Sequence, residues 1–372
     1  VEHTVVVRAP GRVNLIGEHT DYNAGLCLPV AIAASTTATA TVLPAGPSRL
    51  TSAQQDQTWE GTASDAAPGL VSGWAAYAAG VLWALEQAGY AVPPLELHVD
   101  STVPLGSGLS SSAALEAAVA VAAVTAAGLT LDDTLRRSLI AVCRQAETEV
   151  AGAPTGGLDQ SAILLARPGR ALLLDFADGS AVHVPVDVRA AGLEVLVVDT
   201  RVSHALTDGG YGSRRAQCEQ AAGLLGLTTL REATLADAAT LADEVLGRRA
   251  THVVSEIVRV EQAVEALRAG DWDRVGGLFT ASHVSLRDDF EVSCAELDLV
   301  VDTALEAGAL GARMTGGGFG GSAIALVPAT RAEAVRRAVD TAFARAGLAA
   351  PGHLDGTPSA GAGPVDPVTP SR

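Results

Sequence analysis

Residues able to do chemistry crowd into a few short stretches punctuated by glycine. The first, GRVNLIGEHTDYNAG at 11–25, brings together Arg12, Asn14, Glu18, His19, Asp21, Tyr22 and Asn23. Such a density of donors and acceptors suits a sugar site, where carboxylates and imidazoles sort hydroxyls; a solvated surface loop has the same composition. The second, PLGSGLSSSAALE at 104–116, follows a strand pattern and opens a helical one. Its glycines let the backbone approach a ligand closely, and the helix start offers unpaired amides at the positive end of the helix dipole. Ser110, Ser111 and Ser112 add hydroxyls that cap the helix, donate to phosphate oxygens or ligate a cation. A plain strand–turn–helix junction with a serine cap is the bland alternative.

Two more stretches follow the same logic. GAPTGGLDQ at 152–160 delivers Asp159 and Gln160 to the start of a short apolar segment, where a lone aspartate can also be no more than a helix cap. RMTGGGFGGSA at 313–323 holds a formal G-x-G-x-x-G at Gly316, Gly318 and Gly321, yet strand-like segments flank it and no helix follows. Glycine fills five of the six positions 316–321, more than a tight turn needs. That favours a loop approaching a ligand's phosphates or a neighbouring domain over a structural hairpin. Gly106-Ser-Gly108-Leu-Ser-Ser111 also approximates a dinucleotide fingerprint, which wants a second strand ending in an acidic residue about 20 positions on. Asp132 and Asp133 stand instead at the mouth of a helix, so the dinucleotide reading is weak.

Composition narrows the chemistry. The chain has no lysine, which excludes a Walker-A loop and the strand lysine of a protein kinase. ATP, if handled, must be met by backbone amides, hydroxyls, arginine and Mg²⁺. A net charge of −17 with no basic run argues against nucleic acid, and it leaves an anionic substrate dependent on local donors. The 48% hydrophobic and 18% charged content is that of a soluble globular protein; with 3% aromatics, small and branched aliphatics must fill its core. Cys27, Cys143, Cys218 and Cys294 lie far apart without a C-x-x-C, as free thiols of a reducing cytosol do. The first residues show no charged-then-apolar leader. The Ala/Val stretch at 113–129 contains Glu116 and reads as a buried helix, with no membrane partner expected.

The elements that position these stretches follow from periodicity. A strand is expected at 4–8, a loop–helix mixture over 9–34, a strand at 95–103, a loop at 104–112 and helices to about 128 and over roughly 132–150. Short strands follow at 171–175, 182–186 and 193–199. Helices are then expected near 213–225, 250–269, 272–286 and 293–307, strands at 311–315 and 322–327, and a last helix over about 331–346. The Pro/Gly/Ser-rich stretch 358–372 is expected to end in disorder. The length predicts two domains sharing a cleft, with a seam near 185–200.

Taken together, these motifs resemble the galactokinase branch of the GHMP small-molecule kinases. GRVNLIGEHTDYNAG resembles the galactokinase signature almost residue for residue. PLGSGLSSSAALE resembles the ATP-binding loop, GGLDQ the catalytic aspartate motif and RMTGGGFGGSA the third glycine motif. GGYGSRRAQCE at 209–219 resembles the segment that places a tyrosine on the sugar. The motifs occur in family order across residues 8–325.

The resemblance implies an α+β, two-domain GHMP architecture. A ribosomal-protein-S5-domain-2-like domain is expected at 1–190, a ferredoxin-like α/β domain at 191–350 and a C-terminal segment at 351–372, with the active site between the domains. It implies an ATP-dependent galactokinase making galactose 1-phosphate, the first committed step of galactose catabolism, as a cytoplasmic monomer or weak homo-oligomer. Residue by residue, it assigns Asp159 and Arg12 to catalysis, and Glu18, His19, Thr20, Asp21, Gly157 and Tyr211 to the sugar. ATP falls to Gly106, Ser107, Gly108, Leu109, Ser110, Ser111 and Ser112, and Mg²⁺ to Ser112 and Glu147. Thr148, Leu158 and Val150 depart from the residues usual at those places. With Arg12 beside it, Asp159 is expected to accept the hydrogen bond of the reacting hydroxyl throughout and to take the proton late. Two alternatives remain: a C1 kinase of another hexose or aminohexose, and a silent galactose/ATP sensor. The presence of Ser112, Ala113, Glu147 and Asp159 argues against the sensor.

Overall fold

In the computed structural model, residues 4–153, 155–203 and 207–365 are described. The strands, in chain order, are β1 (Thr4–Asn14), β2 (Leu26–Cys27), β3 (Pro29–Val42), β4 (Ser48–Ser52), β5 (Gln55–Gly61), β6 (Leu95–Ser101), β7 (Arg170–Asp175), β8 (Ser180–Pro185), β9 (Leu193–Ser203), β10 (Gly311–Thr315), β11 (Gly320–Pro328), β12 (Gly352–Asp355) and β13 (Gly363–Pro364). The α-helices are α1 (Trp74–Gln87), α2 (Ser111–Ala126), α3 (Asp133–Gln145), α4 (Leu158–Leu165), α5 (Thr207–Leu224), α6 (Leu235–Ala238), α7 (Glu244–Ala269), α8 (Trp272–Asp288), α9 (Ala295–Glu306) and α10 (Ala332–Arg345).

The strands form three sheets. A six-stranded sheet has the order β13-β1-β3-β6-β4-β5, with only β4 and β6 parallel. A three-stranded antiparallel sheet (β2-β7-β8) adjoins it, and a four-stranded antiparallel sheet (β10-β11-β9-β12) forms the second half. Helices α8, α9 and α10 back that second sheet. This is the expected α+β, two-domain architecture.

The Ala/Val run becomes α2, which lies on β1 and β3 and is enclosed by α1, α3 and α4. Alanine and valine let it sit close on every side, and its one charged residue, Glu116, is fully buried. Among the described residues, no helix is long and apolar enough to cross a membrane. The helix expected to about residue 150 ends its α-hydrogen bonding at Gln145 and continues as one π-turn, Ala146–Val150. That wider turn sets Glu147, which is buried, on the inner side.

The expected loop–helix mixture at 9–34 is corrected. β1 runs unbroken to Asn14, and β3 starts at Pro29. Pro10 and Gly11 read as breakers but occupy an irregularity in the β1–β3 register. There the Arg12 amide bonds to Leu109 O instead (3.1 Å), and a Cβ on Gly11 would come within 2.8 Å of that same oxygen. Glycine at 11 is thus what lets the glycine-serine loop lie directly on β1. Residues 352–364 are also ordered: β12 pairs with β9, and β13 pairs with β1. Residues 366–372, where disorder was expected, lie outside the described residues.

Strand β10 carries Arg313 and Thr315 toward the first domain, and its seat on α8 depends on two glycines in contact. A Cβ on Gly311 would stand 1.9 Å from Gly276 O. Gly311→Ala is therefore expected to destabilise the protein by at least about 1–3 kcal/mol, read as a lower urea midpoint. An unchanged midpoint would show that this helix–strand contact yields without cost.

Candidate active site

Three of the chemical stretches converge on one cleft of ≈ 240 Å³. Arg12, Asn14, Glu18, His19, Asp21, Glu147, Thr155, Leu158, Asp159, Tyr211, Gly316 and Gly317 are among the residues that line it. β1 supplies Arg12 and Asn14, the turn after it supplies Glu18 to Asp21, and the first turn of α4 supplies Asp159.

Asp159 is clasped on both oxygens. Arg12 donates through Nε to Oδ1 (2.8 Å) and pairs through Nη2 with the same oxygen (2.7 Å). Ser110, in the left-handed conformation at the start of α2, donates its hydroxyl to Oδ2 (2.5 Å). The remaining Arg12 nitrogen, Nη1, donates to Gly108 O (2.5 Å). One guanidinium thus ties the strand, the glycine-serine loop and α4 together. Arginine does this where lysine cannot, because its planar fork presents several donors at fixed angles.

Beside this clasp, Ser112 Oγ donates to Glu147 Oε1 (3.0 Å), and Gln160 Nε2 donates to Glu147 Oε2 (2.5 Å). Burial, and then the negative charge of Asp159, push the Glu147 carboxyl up to about 7. Asp21 is likewise raised to about 6, by burial foremost and by Asp159 as well. Its close approach needs Gly156, where a Cβ would sit 2.2 Å from Asp21 Oδ2.

Burial, together with neighbouring His252, lowers His19 to about 3, so its imidazole is neutral. Nε2 faces Gly317 O (3.2 Å) and must carry the proton, which leaves Nδ1 to accept from Tyr22 Oη (2.9 Å). Around it stand Tyr211 (ring centroids 5.5 Å apart) and Phe290 (4.8 Å). Glu18 is fully engaged within the protein: Oε2 accepts from Asn14 Nδ2 (2.5 Å) and lies 3.1 Å from Arg313 Nη2, and Oε1 accepts from Gly316 N (2.7 Å) and Thr315 Oγ1 (3.1 Å).

Two expected sugar residues lie off the cleft wall. The Thr20 hydroxyl donates to Leu26 O (2.6 Å) and lies 3.0 Å from Gly17 O, so it closes the turn. Gly157 caps α4 at φ 93°, and a Cβ there would meet Arg144 Cδ at 2.6 Å. In the glycine-serine loop, Gly106 and Gly108 both have φ 73°, Leu109 is buried, and Ser107 O accepts from Ser322 Oγ (2.8 Å). The third glycine cluster packs onto this loop. A Cβ on Gly316 would be 3.0 Å from Gly108 O, and one on Gly321 2.9 Å from Ser107 O. Of the two roles open to that cluster, contact with the neighbouring domain is therefore visible.

Sequence reasoning left unmarked a small pocket of ≈ 60 Å³ beside the start of α2, where the apolar Trp74, Val99, Leu105 and Leu115 meet the polar Thr36, Ser52, Gln54, Gln55, Ser101 and Ser111. A lone tryptophan opening a helix was the available signal.

Known proteins resemble this chain along nearly its whole length. The model for the galactokinase galactose-binding signature matches residues 1–42, that for the GHMP kinases N terminal domain 76–167 and that for the GHMP kinases C terminal 263–345. A galactokinase of Streptomyces coelicolor is 50% identical over 360 residues, covering 95% of this chain and 92% of its own. One from Mycobacterium tuberculosis is 48% identical over 349 residues, 91% of this chain and 94% of its own. The crystal structure of Lactococcus lactis galactokinase complexed with galactose matches with a TM-score of 0.91 at 33% identity, covering 98% of this chain and 95% of that one.

The raised Asp21 carboxyl has a consequence for stability. A carboxyl that is weaker as an acid when folded contributes stability below its ordinary value of 3.8, and that contribution is lost as pH rises through about 6. Asp21→Asn has no such loss. Its urea midpoint should exceed that of the parent by a constant margin above pH 6, and the two should converge toward pH 4. Equal midpoints at neutral pH would mean that Asp21 is not strained by its surroundings.

Proposed function

Since the chain belongs to the galactokinase family of GHMP kinases, we propose that it transfers the γ-phosphoryl group of ATP to the C1 hydroxyl of galactose, giving galactose 1-phosphate and ADP. The observation that carries this reading is the clasped Asp159. It stands where the sugar-signature cleft meets the glycine-serine loop.

Phosphoryl transfer asks mainly for alignment and charge neutralisation. The α2 amides and the Gly106–Ser112 loop take the phosphates, and the Trp74 pocket next to them takes the nucleobase, whose flat apolar faces suit an indole and aliphatic lining. Asp21 accepts from sugar hydroxyls. The neutral His19 and Tyr211 serve as an aromatic wall, because both His19 nitrogens are already used. Glu18 shapes the sugar pocket by fixing the Gly316 backbone across it.

Ser112 and Glu147 set a hydroxyl and a carboxylate side by side, the hard oxygen donors that Mg²⁺ takes when phosphates and water complete its shell. Burial foremost, and then the charge of Asp159, raises Glu147, and a divalent cation there would offset that neighbouring negative charge. Bound there, Mg²⁺ neutralises phosphate charge. Asp159, with its orientation set before the sugar arrives, accepts the hydrogen bond from the C1 hydroxyl, and the proton follows late, as the oxygen–phosphorus bond forms and ADP leaves. Arg12 meets the charge on the transferring group. The four cysteines, all free, suit a cytoplasmic setting.

ADP release coupled to galactose, glucose and N-acetylgalactosamine in parallel tests the assignment, and preference for a sugar other than galactose would refute it. Asp159→Asn should lower kcat by about 10²–10⁴ with galactose affinity little changed; retained turnover would remove Asp159 from the chemistry. Trp74→Ala should raise the KM for ATP by about tenfold and leave that for galactose alone. An unaffected ATP KM would move the nucleobase elsewhere.

A further inference from the structure

Glu116 has no role in the reaction as derived so far, yet it is the only charged residue of α2 and is completely buried. An isolated carboxylate at that depth would be very costly. It lies one helical turn beyond Ser112, on the same face. Its Oε2 accepts from Gln160 Nε2 (3.2 Å), and that same nitrogen donates to Glu147 Oε2 (2.5 Å). Both hydrogens of one amide are therefore spent on two carboxyl groups. Two buried oxygens of this group have no partner among the heavy-atom contacts: Glu116 Oε1 and Gln160 Oε1.

We propose that Glu116 is a positioning residue for the phosphoryl transfer, acting through the Gln160 amide to hold Glu147 toward Ser112. The inference rests on the reading of Ser112 and Glu147 as the Mg²⁺ ligands. A single proton on Glu116 Oε1 gives Gln160 Oε1 its missing donor and leaves neither oxygen bare. The two side chains then close as a cyclic acid–amide pair. In that pair Gln160 cannot turn over without setting its oxygen against the Glu147 carboxylate, so its second N–H stays on Glu147 Oε2. Glu147 Oε1 is left facing the Ser112 hydroxyl. Burial, and the charge of Glu147, keep the Glu116 carboxyl well above the usual range, in accord with a neutral acid.

The test compares Glu116→Gln, which preserves a neutral cyclic pair, with Glu116→Leu, which destroys it. Infrared spectra of the protein without Mg²⁺ or ATP, at a pH well above 7, should show a protonated-carboxyl band that Glu116→Gln removes. Glu116→Gln should keep the parental kcat and Mg²⁺ half-saturation. Glu116→Leu should raise the Mg²⁺ half-saturation by about tenfold or more and lower kcat, with the KM for galactose unchanged. If that variant does not fold, Gln160→Met carries the same expectation. Absence of the band, equal damage from Gln and Leu, or a folded Leu variant with normal Mg²⁺ dependence would each overturn the proposal. Glu147→Gln without effect on Mg²⁺ half-saturation would instead overturn the ligand reading, and it is told apart because the Glu116 band and the Glu116 variants are read with Glu147 intact.

Discussion

One guanidinium holds the candidate site together. Asp21, Glu18, Glu147 and Asp159 all face the cleft, and among the described residues that line it Arg12 is the only arginine. In this wall burial first, and repulsion from Asp159 after it, raise the Asp21 and Glu147 carboxyls. The Arg12–Asp159 pair relieves that repulsion at one point and spends its remaining donor on Gly108 O. Charge balance and loop geometry therefore depend on the same side chain. A net charge of −17 makes this local positive charge matter more, since nothing in the overall field draws an anionic nucleotide inward.

A second buried network joins the two halves. Arg313, fully buried on β10, donates to Asn14 O (3.0 Å) and Leu15 O (3.1 Å) and stands beside both Glu18 and Glu256. Burial alone would raise Glu256, but Arg259, His252 and Arg313 outweigh it and bring the carboxyl down to about 2. Glu256 in turn accepts from Gly17 N (2.9 Å) and Ser282 Oγ (2.6 Å). Removing one member of such a web leaves an uncompensated buried charge, so the sugar-signature turn and the second domain are fixed to each other. The two glycine clusters meet in the same plane of contact, backbone to backbone.

Much of the site was legible because its chemistry is local. Arg12, Asp159, Ser110 to Ser112 and Glu147 sit in motifs whose composition announces donors, acceptors and close backbone approach. What stayed hidden depends on distant partners. Thr20 stands inside the signature, but only the fold reveals that its hydroxyl is spent on Leu26 O. Glu116 read as a mark against a membrane span, and its link to Gln160 requires α2 and α4 to lie side by side. Pro10 and Gly11 carry breaker signals that a neighbouring strand overrides. Helices α2, α3, α5 and α7 to α10 lie about where periodicity put them, and so do β6 to β11, whereas α1, α4, α6, β4 and β5 were not expected. Residues 352–364 show no period at all, and their order comes from pairing with strands already in place.

That late pairing bears on how the molecule comes to be made. The outer edge of β1 finds its partner at Pro364 and Gly363, opposite Val7 and Arg8, while Arg136 Nη1 donates to Ala362 O (2.6 Å) to seat the returning chain. During synthesis on the ribosome, the strand that carries Arg12 emerges well before its edge partner and waits, its rim unsealed, until residues 363–364 have been translated. A nascent first half can collapse, yet it keeps an open flank through that interval, which is when a holding chaperone would find its foothold.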